Sequence, residues 1–343
     1  MNTNLSTTTE LAAPELAVSA HGLVKTFGDL RAVDGIDLEV SQGEILGVLG
    51  PNGAGKTTML RMLATLLPID EGDAQIFGVD VAREPHRVRQ LIGVTGQYAS
   101  VDENLTATEN LWLFGRLQGL RTADARATAE RLLVQFGLEE AAARPLSQFS
   151  GGMRRRLDLA ASLITRPPLI FLDEPTTGLD PRTRGQMWDT IRSLVAEGCT
   201  VLLTTQYLDE ADQLADRIAV IDHGRKVAEG TPDELKASVG SSTLQLQLAA
   251  GADQALAYDV IRRVLGAEPV LTPESGRINA PLAIADRAAD VLIALRESDV
   301  AIASVSVAKP TLDEVFLTLT GHDAEPEPEA HEYDEAPVLE VAR

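Results

Sequence analysis

Hydrophobic and polar residues change their pattern along the chain, and each pattern predicts a different kind of element. Residues 17–49 alternate between apolar and polar with glycine breaks, which predicts short strands leading into a buried strand at Ile45–Leu49. We expect a helix from Lys56 to about Leu67 and a strand over Leu91–Thr95. Helical periodicity prevails over residues 98–150, which predicts a helical subdomain there.

Short apolar runs then return as PLIFLD, CTVLLTT and DRIAVID, separated by segments of helical length. Such runs, apolar without alternation, are typical of strands buried on both faces. Strands that alternate with helices form parallel sheets. The sequence therefore predicts an α/β fold with a parallel core sheet for residues 17–240, with an antiparallel β subdomain at its start.

Beyond residue 240 the order of elements changes. We expect a strand at Leu244–Leu248, a helix at Asp253–Leu265, strands at Pro269–Thr272 and Gly276–Ala280, a helix at Ala283–Arg296 and a strand at Ala301–Val307. This βαββαβ order predicts a small accessory α+β domain of ferredoxin-like type over residues 241–320, closed by a short helix in TLDEVFLTLT.

Composition and charge narrow the class of protein. The net charge of −21 opposes binding to nucleic acid, and no apolar run approaches the ~18 residues of a membrane-spanning helix. Residues 1–16 lack the pattern of a signal peptide and are expected to form a flexible leader in a cytoplasmic protein. Residues 321–343 are rich in proline and glutamate and are expected to form an acidic disordered tail.

The stretch GPNGAGKTT, Gly50–Thr58, predicts a phosphate-binding loop. It matches GxxxxGK[ST] between a predicted strand and a predicted helix, where backbone amides can surround a phosphate. Lys56 can reach the β- and γ-phosphates, and the Thr57 hydroxyl can bind Mg²⁺. Downstream, LIFLDEP places Asp173 at a strand end as a candidate metal ligand and Glu174 next to it as a candidate general base.

A second candidate anion site lies in FSGGMRRRLDLA, where Ser150 and two glycines, Gly151 and Gly152, precede a helix. Ser150 can cap that helix. Apolar residues at helical spacing, among them Leu157, form a stripe along this helix, and Arg154–Arg156 lie outside that stripe. We expect at least two of these arginines on a solvated face.

These stretches, with Gly96–Gln97 and TTGLD, occur in the order and spacing of the ATPase subunits of ABC transporters, which the chain resembles over residues 17 to about 235. The resemblance implies a homodimer that binds two ATP, each helix start at Ser150–Gly152 completing the partner's site. It implies that Phe27 stacks on adenine, and a core position is the alternative for this residue. It also implies that Gln97 senses Mg²⁺ and that Asp180 links the two sites. The nucleotide-binding residues it implies are Phe27, Gly50, Pro51, Asn52, Gly53, Ala54, Gly55, Lys56, Thr57, Thr58, Gln97, Ser150, Gly151, Gly152, Asp173 and Asp180.

The metal ligands so implied are Thr57, Gln97 and Asp173, and the catalytic residues are Lys56, Glu174 and Gln206. Two motifs depart from the family pattern. Phe149 and Met153 replace the outer residues of LSGGQ, and Gln206 stands where a histidine is common. A glutamine can hydrogen-bond to a phosphate but cannot carry a proton near neutral pH, so Glu174 is the preferred base.

TTQYLDEAD, the accessory domain and KPTLDEVFLTLTG resemble the daunorubicin-resistance group of these ATPases. This second resemblance implies export of a hydrophobic small molecule or antibiotic through a separately encoded membrane permease. The subunit would then lie on the inner face of the cell membrane. Two alternatives stay open: a soluble ABC ATPase that acts on DNA or ribosomes, and a non-catalytic nucleotide sensor whose C-terminal domain binds a regulator.

Overall fold

The computed structural model describes residues 15–96, 101–239, 242–249, 251–272, 276–282, 284, 286–308 and 310–321. Contacts divide the chain into two units between Glu229 and Gly230. The boundary expected between residues 240 and 241 stays a prediction. Most of the expected leader, residues 1–14, and of the expected tail, residues 322–343, lies outside the described residues.

The first unit contains both strands and helices. Its strands are β1 (Leu16–Phe27), β2 (Leu30–Ser41), β3 (Ile45–Leu49), β4 (Glu71–Ile76), β5 (Val79–Asp80), β6 (Ile92–Thr95), β7 (Leu169–Asp173), β8 (Thr200–Thr205), β9 (Arg217–Asp222) and β10 (Arg225–Gly230). Its helices are α1 (Lys56–Leu63), α2 (Pro85–Leu91), α3 (Ala107–Leu117), α4 (Thr122–Gln135), α5 (Gly151–Ser162), α6 (Pro181–Ala196) and α7 (Leu208–Leu214).

The strands of this unit form two sheets. One has the order β2-β1-β4-β5, and its pairs are antiparallel. The other has the order β10-β9-β3-β8-β7-β6, in which β3 pairs in parallel with β8 and β9, and β7 with β6 and β8. Every residue of β3, β7 and β8 is buried, which fits their mainly apolar sequences and includes the polar Asp173, Thr204 and Thr205 at the strand ends. The predicted α/β fold with a parallel core sheet is confirmed.

Side chains of β7 alternate between two hydrophobic clusters, one on each face of the parallel sheet. Leu169 and Phe171 pack in a cluster with α1 and the antiparallel sheet. Ile170 and Leu172 pack in a second cluster with α3–α6. Apolar clusters therefore cover both faces of the parallel sheet, so that a functional site can form at the carboxyl ends of its strands.

In the first unit, the bounds predicted for one helix and one strand were wrong. The first helix ends at Leu63 rather than near Leu67, because Thr65 takes a left-handed conformation with φ of 63°. The strand expected over Leu91–Thr95 begins one residue later, since Leu91 closes α2. Among the described residues, no helix is both long and apolar enough to span a membrane.

The second unit contains the predicted βαββαβ arrangement, although the helix expected at Ala283–Arg296 spans Arg287–Glu297. Its elements are α8 (Pro232–Val239), β11 (Ser242–Leu248), α9 (Gln254–Leu265), β12 (Val270–Thr272), β13 (Arg277–Leu282), α10 (Arg287–Glu297), β14 (Ile302–Ala308) and α11 (Leu312–Thr320). The strands form an antiparallel sheet in the order β12-β13-β11-β14. Alternate residues of β11, such as Leu244 and Leu246, pack against α9 and α10 in this unit's own core.

Candidate functional site

The predicted phosphate-binding loop connects β3 to α1, and glycine is required at two of its positions. A Cβ at Gly50 would lie 2.2 Å from the carbonyl oxygen of Ile221. A Cβ at Gly55 would lie 2.2 Å from the carbonyl oxygen of Ala32, and Gly55 has φ of 103°. Because Gly55 occupies the N-cap of α1 and has no side chain, the first amides of this helix are available to an anion.

Lys56 is buried and lies at the centre of this loop. Its Nζ donates hydrogen bonds to the carbonyl oxygens of Gly50 at 2.7 Å and Pro51 at 3.0 Å. The same Nζ lies 3.6 Å from Oε1 of Glu174, which is also buried. The loop cation and the candidate base are therefore neighbours across the ends of two strands.

Asp173, the last residue of β7, receives two hydroxyl donors. Thr57 Oγ1 donates to Asp173 Oδ1 at 2.9 Å, and Thr204 Oγ1 donates to the same oxygen at 2.7 Å. A hydroxyl and a carboxylate oxygen at this separation are the hard oxygen ligands that Mg²⁺ prefers. The two predicted metal ligands that the structure describes, Thr57 and Asp173, are thus brought together.

Glu174 follows β7 in an unusual backbone conformation. Its φ of 50° lies in the left-handed region, which costs a non-glycine residue about 1–3 kcal/mol. Its amide donates to Thr204 at both the carbonyl oxygen, 3.1 Å, and Oγ1, 3.2 Å. Its side chain accepts a weaker bond from Thr177 Oγ1 at 3.4 Å.

Gln206 follows β8, the strand beside β3 and β7. The amide of Gly50 donates to the carbonyl oxygen of Thr205 at 3.3 Å, which ties the start of the phosphate loop to this strand end. Oε1 of Gln206 is buried and has no hydrogen-bond partner among the described residues. A buried amide oxygen without a partner is costly, so this side chain is suited to bind a further polar group.

The second candidate anion site lies at the start of α5. Ser150 Oγ accepts a hydrogen bond from the Met153 amide at 3.3 Å, so Ser150 is the N-cap. Gly151 is exposed, and a Cβ built on it would meet nothing within 4 Å. A Cβ at Gly152 would lie 2.3 Å from Cγ2 of Thr183, because this helix start packs against the start of α6. The SGG segment therefore presents one open side and one packed side.

Asp180 is the N-cap of α6. Its carboxylate accepts bonds from Thr183 Oγ1 at 2.6 Å and from the Thr183 amide at 3.0 Å. The hydroxyl and amide of Thr183 hold the pKa of Asp180 below its usual range. Ser150 and Asp180 thus hydrogen-bond within their own helix starts, which pack together through Gly152 and Thr183, rather than to the phosphate loop.

Phe27 ends β1 with 47% of its surface exposed, so the alternative of a core phenylalanine is wrong. The Nζ of Lys25 lies 5.7 Å from the centre of its ring. Its predicted stacking on adenine stays a prediction. Gln97, predicted to sense Mg²⁺, lies outside the described residues.

The expectation that at least two of Arg154–Arg156 lie on a solvated face was wrong, since all three are half-buried. Arg154 Nη1 lies 2.6 Å from Glu103 Oε1, and Arg156 donates to the carbonyl oxygen of Phe136 at 3.1 Å. Arg155 donates to backbone carbonyl oxygens next to the candidate base. The helical stripe indicated only which residues face the core, and a long side chain beside that stripe can still turn inward.

Glu210 was not predicted, although it lies on α7, just after Gln206. It is fully buried, and its Oε1 accepts hydrogen bonds from Thr176 Oγ1 at 2.8 Å and Trp188 Nε1 at 3.3 Å. Burial raises its pKa, while the hydroxyl and indole donors oppose that rise. The sequence LDEAD reads as the acidic surface of a short helix and gave no signal of this burial.

Comparisons with known proteins found two family models that match parts of this chain. Residues 33–177 match the family model described as ABC transporter, and residues 230–320 match that of the DrrA1-3-like ATP-binding protein C-terminal domain. The daunorubicin/doxorubicin resistance ATP-binding protein DrrA of Streptomyces peucetius is 55% identical over 318 residues, which cover 91% of this chain and 94% of that protein.

The doxorubicin resistance ATP-binding protein DrrA of Mycobacterium tuberculosis (strain ATCC 25618 / H37Rv) is 44% identical over 315 residues, covering 89% of this chain and 94% of that protein. Among solved structures, one described as a dimeric post-hydrolysis state of an ATP-binding cassette bound to ADP and Pi superposes with a TM-score of 0.58 at 27% identity. It covers 62% of this chain and 98% of its own.

Proposed function

Because this chain belongs to the ATP-binding subunits of ABC transporters, in the group of daunorubicin/doxorubicin resistance ATP-binding proteins, we propose that its ATP hydrolysis drives export of a hydrophobic small molecule. The export path would be a separately encoded membrane permease. The observation that carries the chemistry is the meeting of Lys56, Thr57, Asp173 and Glu174 at the carboxyl ends of β3 and β7.

Nucleotide binding is assigned to the phosphate loop and to Phe27. The amides of Gly50–Thr58 and the N-terminus of α1 would surround the phosphates, and Lys56 would turn from the loop carbonyls toward the β- and γ-phosphates. The half-exposed ring of Phe27 offers a flat apolar face for adenine. The Lys25 ammonium lies 5.7 Å from that ring and is paired with the Asp70 carboxylate at 2.6 Å.

Mg²⁺ fits the oxygen pair formed by Thr57 Oγ1 and Asp173 Oδ1, which lie 2.9 Å apart. When bound, the ion would neutralise charge on the phosphate oxygens. Thr204 keeps the Asp173 carboxylate oriented through its 2.7 Å hydrogen bond. Gln97 is proposed as a further ligand from the family resemblance alone.

Hydrolysis is assigned to Glu174 as the general base for the attacking water. Its strained turn, fixed by two hydrogen bonds from its amide to Thr204, directs the carboxylate toward the Lys56 ammonium. Gln206, with its buried and unpartnered Oε1, would orient water or the γ-phosphate without taking a proton. In the proposed cycle, the Glu174 carboxylate is therefore the group that accepts the proton from water.

Each catalytic site is proposed to need two chains. The start of α5, with its open Gly151 side, would contact the γ-phosphate held by the partner's loop, and Asp180 would link the two sites. The helical region, about residues 98–150, would transmit closure of the dimer to the permease. The subunit would accordingly lie at the inner face of the cell membrane.

Transport can be tested by expressing the chain together with a candidate permease, a polytopic membrane protein. Inverted membrane vesicles from these cells should accumulate a fluorescent anthracycline when ATP is added, and vesicles that carry Glu174→Gln should not. Accumulation that is equal for the two proteins would refute the proposal that this ATPase drives export. Vesicles that contain the permease alone serve as the control for passive uptake.

A further inference from the structure

Arg155 connects segments that are far apart in the sequence but close around the candidate site. From α5, its Nη1 donates to the carbonyl oxygen of Gly96 at 2.6 Å, and its Nε to that of Pro175 at 3.0 Å. Its Nη2 donates to the carbonyl oxygens of Asp173 at 2.9 Å and Glu174 at 2.8 Å. One guanidinium thus holds the backbone after β6 and the backbone at the end of β7.

These carbonyl oxygens belong to the turn that positions the base. Glu174 sits between Asp173 and Pro175, and it is the residue with φ of 50°. Strain of this kind persists only where the surroundings fix the backbone, and Arg155 binds the carbonyl on each side of the strained residue as well as its own. The bonds made by Arg155 therefore stabilise the turn in the conformation that Glu174 needs.

The shape of the guanidinium matters for this role. Its planar group carries five donors in fixed directions, so it can reach carbonyl oxygens on two different strand ends at once. The ammonium of a lysine is a single point with three donors at the end of a flexible chain. Burial lowers the pKa of Arg155, and the carboxylates of Asp158, Asp173, Glu210 and Glu174 oppose that effect.

The position of Arg155 along α5 gives these bonds a further consequence. Ser150 precedes it by five residues, which is roughly 7 Å along a helix. The helix runs without a break from Gly151 to Ser162, and Leu157 to Ala160 are buried. A displacement at the Ser150–Gly152 end would therefore act, through this one helix, on the carbonyl groups around Glu174.

We propose that Arg155 is a positioning residue that fixes Glu174 of its own chain and couples it to the start of α5. This inference rests on the proposed function in one respect, because it takes the start of α5 to contact the nucleotide held by a second copy. Contact of α5 with the nucleotide at one site then holds Glu174 of the other site in the conformation needed for hydrolysis. ATP hydrolysis by the two sites is coupled through this arginine.

Kinetics of Arg155→Lys in the full-length chain test the proposal. We expect kcat to fall about tenfold or more, which corresponds to about 1.4 kcal/mol of lost transition-state stabilisation. The KM for ATP, and ATP binding measured in the Glu174→Gln background, should stay within about twofold, because Arg155 contacts backbone carbonyls rather than the phosphate loop. The Hill coefficient for ATP should fall toward that of independent sites.

Arg156→Lys is the matched control, since Arg156 is the next residue of α5 and donates to the carbonyl oxygen of Phe136 at 3.1 Å. The same chemical change there should leave kcat and the Hill coefficient at the values of the unchanged chain. Thermal unfolding of both variants is recorded on the same samples. Arg155→Gln, which removes the charge, should reduce kcat further than Arg155→Lys.

Mixed dimers distinguish positioning from a general loss of structure. Arg155→Lys chains are mixed with excess Glu174→Gln chains, so that the working Glu174 lies on the chain with Lys at 155. In the reciprocal mixture, unchanged chains are mixed with an excess of chains that carry both Arg155→Lys and Glu174→Gln. The intact Glu174 of each mixed dimer then lies on the chain that keeps Arg155. We expect low activity in the first mixture and activity near that of the unchanged chain paired with Glu174→Gln in the second.

Equal activity in the two mixtures would overturn the proposal, as would an Arg155→Lys variant with unchanged kcat and Hill coefficient. Lower activity in the second mixture than in the first would show that α5 acts on the partner's site instead, which also contradicts it. An unchanged chain without ATPase activity would instead refute the catalytic part of the proposed function. The two failures are therefore separable.

Discussion

We propose that turnover depends most directly on Glu174. Its carboxylate lies 3.6 Å from Lys56 Nζ, and its neighbour Asp173 accepts hydrogen bonds from two hydroxyl donors, so we assign the polarisation of water to Glu174. Glu174→Gln keeps the size and polarity of the side chain but cannot accept a proton. We expect the ATP hydrolysis rate to fall by about 10²–10⁴-fold while ATP affinity stays close to that of the unchanged chain.

Steady-state phosphate release and equilibrium titration with a fluorescent ATP analogue measure the two quantities. Lys56→Ala is the matched control, because it should lose affinity as well as rate. A Glu174→Gln variant that hydrolyses ATP at the rate of the unchanged chain would contradict the assignment of the base.

Gln206 gives a prediction about pH. A glutamine does not titrate, so the ATPase rate of the unchanged chain should show no protonation step from this position. Gln206→His should introduce one near the ordinary histidine pKa of about 6.5, and Gln206→Ala should reduce kcat while ATP binding persists. The kcat of all three proteins between pH 5.5 and 8.5 is the measurement. Equal rates for Gln206→Ala and the unchanged chain would show that the side chain has no part in hydrolysis.

Glu210 makes stability depend on pH. Because burial raises its pKa in the folded protein, the folded state binds this proton more tightly than the unfolded chain does. Its contribution to the free energy of unfolding therefore falls as the pH rises from the ordinary glutamate range through the raised pKa. Glu210→Gln keeps the acceptor for Thr176 and Trp188 and removes the ionisation, so it should raise the melting temperature at alkaline pH and change it little at acidic pH.

Thermal melts over a pH series check this, with about 2–4 °C expected for each kcal/mol gained. Glu140→Gln, on an exposed residue, is the control for a change of net charge alone. A difference between Glu210→Gln and the unchanged chain that is the same at every pH would argue against an ionisation effect.

At the scale of elements, the contact between the starts of α5 and α6 depends on a missing side chain. Gly152→Ala would place a Cβ 2.3 Å from Thr183 Cγ2, an overlap that should cost about 1–3 kcal/mol of stability. Thr183→Ser removes that methyl group and keeps the hydroxyl bonded to Asp180, so adding it should restore most of the loss. Gly151→Ala, at a site with open space, is the matched control.

Chemical denaturation of the single and double variants measures these differences. If Gly152→Ala were no less stable than Gly151→Ala, the close approach of the two helix starts would not exist in solution.

Elements with a strong local signal could be predicted from the sequence. Buried strands such as Ile45–Leu49 are apolar throughout, and the phosphate loop needs its residues within a few positions of each other, so both were predicted with their residues. The contacts of Arg155 could not be predicted from the sequence. Its acceptors are carbonyl oxygens at the ends of β6 and β7, and tertiary packing alone brings those segments to α5. The burial of Glu210 was missed for the same reason, since its hydroxyl and indole donors lie on other segments.

At the scale of the whole molecule, charge opposes the dimer that the proposed cycle requires. Each copy carries a net charge of −21, and ATP adds further negative charge at the interface. Repulsion between two such copies is screened over about 8–10 Å at moderate ionic strength. Association must therefore come from short-range contacts, which the exposed Ser150 and Gly151 at the start of α5 would make with bound nucleotide.

Glu174→Gln, which should bind ATP without consuming it, makes this dimer measurable. We expect the variant to sediment as a dimer with ATP and Mg²⁺ and as a monomer with ADP, because ADP lacks the γ-phosphate that we propose to connect one chain's loop to the other's α5. The dimer should also strengthen as salt rises from low to moderate concentration, since screening reduces the repulsion between like-charged copies. A variant that stays monomeric with ATP at every salt concentration would contradict the shared site, and a dimer that weakens with salt would point to ion pairs across the interface instead.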